Sequence, residues 1–179
     1  MRETAYMLFE TALGRCGVAW GENGVRATSF PHETDAGTRK QLFRRGSVAQ
    51  EASPPSGIAK IIDDIAALFT GEKRDLSYVS LDMNDIGVFE RDVYALSLQI
   101  KAGELKTYGD LAVVLGDVSL SRRVGQALGR NPFPIIVPCH RIVGADGAMT
   151  GFSAPGGAEL KRKLLKIEGA LAPDLLDAL

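Results

Sequence analysis

The sequence predicts an α/β amino-terminal domain, residues 1–84, followed by a mainly α carboxy-terminal domain, residues 85–179, that contains a helix-turn-helix of winged-helix-like type. Three observations predict this. Short apolar runs separated by turn residues fill positions 4–30, the pattern of hairpin strands. Apolar residues then recur at helical spacing over 58–69. Beyond about Asp85 the chain becomes a series of short amphipathic helices, two of them joined by a tight turn.

Taken in order, residues 6–10 and 14–20 read as strands. The stretch Gly21-Glu-Asn-Gly24 suits a tight hairpin turn into a third strand over 25–30. Residues 35–46 are rich in Lys and Arg around Leu42 and Phe43, which predicts a surface helix. Ser53-Pro-Pro-Ser-Gly57 interrupts the chain. A helix over 58–69 follows, with Ile58, Ile61, Ile62, Ile65, Leu68 and Phe69 at helical spacing and Gly71 as its stop. Residues 78–81, Tyr-Val-Ser-Leu, read as one more strand.

In the second half, Val88, Phe89, Val93, Leu96 and Ile100 share one face of a helix over 88–100. Residues 107–115 read as a helix with Thr107 as N-cap and Gly116 as its end. Ser119 or Ser121 can start the next helix, which runs to about Leu128. Leu120, Val124, Ala127 and Leu128 form its inward stripe, and Arg122, Arg123, Gln126 and Arg130 face away. From Val118 to Ala145 there is no Asp or Glu, yet there are four Arg: Arg122, Arg123, Arg130 and Arg141. Arg suits phosphates and base stacking, although a solvated helix face is the bland alternative. A Gly-rich loop over 144–157 and a last helix over 158–169 complete the chain.

Bulk properties bound the function. A chain of 179 residues with 45% hydrophobic and 24% charged residues can bury a sizeable core. Its net charge of −1 excludes a general polycation, so any nucleic-acid contact must be a local patch. No apolar run approaches the roughly 20 residues of a membrane helix, and no secretory signal pattern opens the sequence. The two cysteines, Cys16 and Cys139, make no disulfide framework and, with His32 and His140, no zinc-finger spacing. The expected setting is a reducing cytoplasm, with no metal and no cofactor.

The stretch 131–141, Asn-Pro-Phe-Pro-Ile-Ile-Val-Pro-Cys-His-Arg, carries the chemistry. It places a thiol, an imidazole and a guanidinium side by side after an apolar run. A thiolate is a strong soft nucleophile, and a neighbouring base or cation raises its population. A buried core cysteine is the competing reading.

Residues from about 89 to 169 resemble the O6-alkylguanine-DNA alkyltransferases, also called methylated-DNA–protein-cysteine methyltransferases. The matching pieces are Gly-Glu-Leu-Lys-Thr-Tyr-Gly-Asp-Leu-Ala at 103–112, Arg-Val-Gly-Gln-Ala at 123–127, Asn131-Pro, Pro-Cys-His-Arg at 138–141 and Gly-Phe-Ser at 151–153. Two positions depart from the family pattern: Tyr94 stands where Trp is usual, and Lys101 where Pro is usual.

The resemblance implies a monomer that acts once on double-stranded DNA carrying O6-alkylguanine, with O4-alkylthymine as a further candidate substrate. It implies that the damaged base is rotated out of the stack, since chemistry on a paired base requires extrusion. Cys139 would take the alkyl group as a stable thioether. His140 would draw the thiol proton through a water, with Glu168 behind it and Asn131 ordering the same network. Tyr108 would donate to the leaving base. Ser153 and the Ile142 carbonyl would read the guanine, with Phe152 beside the pocket. Arg122, chosen over Arg123 by register, would fill the vacated space in the duplex. Gly125 would permit close approach, and Arg123, Gln126 and Arg130 would complete the DNA surface. Three rivals remain at this stage: a recognition protein that binds alkylated DNA without reacting, a helix-turn-helix regulator, and a Cys-His hydrolase.

Overall fold

The computed structural model describes residues 4–45, 49–150 and 152–174. Its first part is a meander of β1 (Thr4–Thr11), β2 (Gly14–Gly21) and β3 (Gly24–Ser29), each antiparallel to the next. Alternation divides the side chains between two faces. Phe9, Cys16, Val18, Trp20 and Val25 join the main core, while Tyr6, Leu8, Ala19 and Ala27 pack with Leu42 on the other face.

The hairpin turn is Glu22-Asn23, between the paired Gly21 and Gly24. Gly24 has φ +113, and a Cβ there would lie 2.3 Å from the Ser80 carbonyl oxygen. Glycine is therefore required twice over, by conformation and by space.

The strand expected at 78–81 is not formed. Leu81 makes only a single parallel bridge with Val25. That rung is fastened by Val25 N donating to Ser80 O at 2.9 Å, by Asp82 N donating to Val25 O at 2.8 Å and by Arg26 Nη1 donating to Asp82 Oδ2 at 2.7 Å, and no ladder forms beyond it among the described residues. Conversely, β4 (Ala49–Glu51) had no sequence signal. It pairs parallel to β1 through main-chain bonds, giving the order β3-β2-β1-β4.

Helix α1 (Asp35–Leu42) covers one face of the sheet, capped by Thr34, whose Oγ1 accepts from Gly37 N at 3.1 Å. It stops at Leu42, short of the expected 35–46; Gly46 itself lies outside the described residues. Helix α2 (Ser56–Leu68) covers the other face with Ile58, Ile61, Ile65 and Leu68.

The second part is helical. Helix α3 (Val88–Ser97) packs on α5 (Ser121–Gly129), and α4 (Tyr108–Val114) is joined to α5 through a short 3-10 turn, Val118–Leu120. Thr107 caps α4 in a full capping box: Asp110 N donates to Thr107 Oγ1 at 3.0 Å, and Thr107 N to Asp110 Oδ2 at 2.8 Å. Ser121, not Ser119, is the first α-helical residue, since Asp117 holds the preceding turn through Ser119 N. Tyr94 is buried on α3, and its hydroxyl donates to the Ala127 carbonyl at 2.8 Å, which ties α3 to α5. The unusual residue thus carries a polar tie along with its packing. A two-stranded parallel ribbon of β5 (Lys106–Thr107) and β6 (Ile142–Val143) and the last helix, α6 (Gly157–Ile167), complete the part.

One apolar cluster runs through both parts, from Phe30, Phe69 and Leu76 to Val93, Val124 and Phe133. The edge strand β3 also binds the segment that leads to Cys139. Thr28 N donates to Pro132 O at 3.0 Å, and the Thr28 hydroxyl donates to Pro134 O. Arg45 reaches over the Phe133 ring at 5.5 Å. No helix among the described residues is long and apolar enough to cross a membrane.

Candidate active site

Asn131 ends the run after α5 and staples the next turn. Its Oδ1 accepts from Phe133 N at 2.8 Å, and its Nδ2 donates to Val137 O at 3.1 Å. Between these bonds lies Ile135, with φ +78 and buried. A β-branched residue in the left-handed region costs roughly 1–3 kcal/mol, so the surrounding contacts must hold it there. The chain then enters a 3-10 turn, Cys139–Arg141. That turn leaves Cys139 half-buried and sends His140 and Arg141 inward, at 2% and 6% exposure.

Glu168, at the end of α6, receives both. His140 Nε2 lies 2.9 Å from Glu168 Oε1. Arg141 grips the same carboxylate in a fork, Nε to Oε2 at 3.0 Å and Nη2 to Oε1 at 2.8 Å, and its Nη1 donates to Ile100 O at 2.6 Å. Burial alone would raise the Glu168 pKa. The hydrogen bonds of His140 and Arg141, together with the Arg141 charge, outweigh burial and hold it at about 2. Burial lowers the His140 pKa against the pull of Glu168, so the imidazole is neutral at pH 7. An ionised carboxylate can only accept, so the single ring proton sits on Nε2 and the Nδ1 lone pair is left as the basic site. Among the described residues Nδ1 has no hydrogen-bond partner.

Burial pushes the Cys139 thiol up, and the Asn131 side chain and the Lys161 charge oppose it. Lys161 is fully buried on α6, with Nζ donating to Ile142 O at 2.5 Å and Thr150 O at 3.1 Å. Desolvation brings its pKa down to about 8, so it is still mainly protonated at pH 7. Tyr108 meets the same carbonyl, its hydroxyl donating to Thr150 O at 2.6 Å. Ile142 O already serves Lys161, although a carbonyl has a second lone pair for another donor. Ser153 is exposed, with Oγ 3.4 Å from Gly129 O. Phe152 packs edge-on against Phe30 of the amino-terminal part at 5.7 Å between ring centres.

Cys139, His140, Glu168, Asn131 and Tyr108 are therefore brought together, with Phe152 and Ser153 at the rim of a cavity of about 200 Å³ that Cys139 also lines. The arginines lie apart on the outward face of α5. Arg122 is exposed and makes no hydrogen bond, ion pair or ring contact with a described residue, whereas Arg123 lies over the Phe89 ring at 3.9 Å and Arg130 is 3.9 Å from Glu90. Gln126 is exposed beside them. A Cβ at Gly125 would meet only the Tyr108 ring, at an ordinary 3.8 Å, so packing within the protein does not demand glycine there.

Residues 88–170 match the family described as 6-O-methylguanine DNA methyltransferase, DNA binding domain. The methylated-DNA–protein-cysteine methyltransferase of Methanothermobacter thermautotrophicus is 33% identical over 153 residues, covering 86% of this chain and 78% of the relative. This chain belongs to the methylated-DNA–protein-cysteine methyltransferase family. The crystal structure of Mycobacterium tuberculosis O6-methylguanine methyltransferase superposes with a TM-score of 0.74 at 30% identity, covering 98% of each chain. A structure of the M. tuberculosis protein in complex with DNA superposes equally well, with a TM-score of 0.74 and 97% and 98% coverage. Every site residue that the resemblance implied lies within the matched residues 88–170.

Two contributors escaped the sequence reading. Arg141 was noted as a guanidinium but not as the second partner of Glu168. Lys161 was not singled out, although it lies three and four positions before Leu164 and Leu165, on the buried stripe of α6. A lysine on an apolar stripe is the signal that finds it. Among the described residues no group of three or more His, Cys, Asp or Glu is placed to hold a metal ion.

Proposed function

We propose that this protein repairs alkylated DNA directly, moving the alkyl group of O6-alkylguanine in duplex DNA onto its own Cys139. The observation that carries the assignment is the buried Glu168–His140 pair beside a half-buried thiol, with the Nδ1 lone pair left as acceptor. The thiol proton leaves through one water to Nδ1, and Glu168 and Arg141 hold the ring in its tautomer. Sulfur, soft and polarizable, displaces the base at the saturated carbon. Lys161 favours the thiolate by its charge. Tyr108 releases Thr150 O and donates to the guanine, whose developing negative charge needs a donor. The Ile142 carbonyl and Ser153 read the base edge. A thioether has no easy hydrolytic exit, so each molecule acts once.

We read the chain as two parts, 1–84 and 85–179, sharing one core. In the second, α4 and α5 act as a helix-turn-helix of winged-helix-like type. Its outward face, with Arg122, Arg123, Gln126 and Arg130, meets the duplex. Arg122 fills the space left by the extruded base, because Arg123 is already engaged with Phe89. Gly125 keeps the backbone close to the sugar edge. The protein works as a monomer in the cytoplasm.

Mass spectrometry of the intact protein after exposure to O6-methylguanine duplex tests this. A gain of one methyl group, mapped to Cys139 and lost in Cys139→Ser while damaged-DNA binding persists, is the expected result. Tight binding with no mass gain would make it a recognition protein instead.

A further inference from the structure

We propose that the cavity beside Cys139 favours alkyl groups ending in a carboxylate, with Arg44 as the partner of that charge. The proposal rests on the transfer reaction above and specifies its substrate class. The sulfur shares the cavity with Pro134 and Phe152, but the amino-terminal part contributes His32, Gln41 and Arg44 to the lining. Among the described residues no Asp or Glu lines it.

His32 Nε2 is buried and has no hydrogen-bond partner among the described residues. Buried polar atoms are normally paired, so this nitrogen is a hydrogen-bonding group still to be satisfied. Desolvation lowers the His32 pKa, so the ring is neutral and one tautomer offers an N–H at Nε2. The Gln41 amide adds donors. The Arg44 guanidinium is exposed at the rim and makes no ion pair with any described residue. A neutral donor, an amide and a guanidinium together match a carboxylate, whereas a methyl group gains nothing from them. Phe30 fixes this wall against the reactive loop through its edge contact with Phe152.

The smallest such adduct is a carboxymethyl group on guanine O6. The Cys139 sulfur lone pair forms the bond to the methylene carbon. The carbon–O6 electron pair departs with guanine, which takes up a proton to balance the one lost by the thiol. The product is S-carboxymethylcysteine, with its carboxylate beside Arg44.

The test uses the full chain and duplexes carrying one O6-methylguanine, one O6-carboxymethylguanine or its neutral carbamoylmethyl isostere. Transfer rates are read by intact-protein mass. The unaltered protein should take carboxymethyl faster than carbamoylmethyl. Arg44→Ala should lower the carboxymethyl rate roughly three- to tenfold, a modest effect because the guanidinium is exposed. Methyl transfer should stay within about twofold of the unaltered rate, since no charged contact is lost with that substrate. Arg44→Lys should recover part of the loss, and Gln41→Ala should deepen it. An equal fall for methyl and carboxymethyl would overturn the proposal, because Arg44 would then serve the DNA or the fold. So would an Arg44→Ala variant with unchanged carboxymethyl transfer. Failure of the unaltered protein to take any of the three groups would overturn the alkyl-transfer reading itself, and this proposal with it.

Discussion

Replacing Glu168 with Gln removes one charge and keeps the shape, so its effects can be worked from the structure. The carboxylate is held at a pKa of about 2 against an ordinary 4.5, and its side chain is only 5% exposed. At about 1.4 kcal/mol per pH unit, that gap corresponds to roughly 3 kcal/mol of native-state stability. The folded-state pKa is depressed, so this contribution is fully present above about pH 4.5 and is lost as pH falls toward about 2. Breaking a buried ion pair by removing one partner costs about 3–5 kcal/mol, the same order, because Arg141 is left buried with its charge unmatched. Urea titrations at pH 7 and pH 3 should therefore show Glu168→Gln destabilised by about 3 kcal/mol at the higher pH and by much less at the lower. The transfer rate should fall by up to about 10²–10⁴, the usual worth of a general base, because Glu168 holds His140 in the tautomer that leaves Nδ1 free to take the proton. A variant as stable as the original at both pH values would refute the account of the ion cluster. A variant that is destabilised but transfers at full rate would remove Glu168 from the proton path.

Other outcomes follow from the same geometry. Arg122→Ala should slow repair of duplex DNA far more than reaction with a free O6-alkylguanine base, measured as two rate constants; an equal loss on both would end the finger role. Arg123→Ala should cost less in duplex repair and about 0.5–1 kcal/mol in stability, from the lost contact with Phe89. Lys161→Met should leave a folded protein whose transfer rate drops on the order of tenfold, because the thiolate loses a cation and the loop carrying Thr150 loses its anchor. An unchanged pH–rate profile in that variant would show that Lys161 does not touch the thiol's ionisation.

Much of the second part was legible in the sequence because its signals are local. The Thr107 cap, the Gly116 stop and the stripe of Val124, Ala127 and Leu128 follow from spacing alone. The Cys139–His140 pair is adjacent in sequence, and so was visible at once. What hid was long-range. The fork of Arg141 on Glu168 spans 27 positions, and nothing in either local pattern announces it. Strand β4 has no apolar alternation and exists through main-chain bonds to β1. The segment 78–81 looks like a strand because it is apolar and β-branched, yet only Leu81 bridges β3, fastened there by the ion pair of Asp82 with Arg26. The polar wall of the cavity was invisible for the same reason: His32, Gln41 and Arg44 come close to Cys139 only once β3 is docked on residues 132–134.

That docking gives the first half of the chain a task in holding the reactive turn. The backbone rim of β3 would otherwise be an open seam, ready to recruit a stray strand. Here the seam is closed partly by residues 80–82, which bond to Val25, and partly by the stretch that leads to Cys139, which bonds to Thr28. Severing the halves should therefore slacken the reactive turn and bare a sticky border in one cut, so that repair competence and resistance to clumping would fall together.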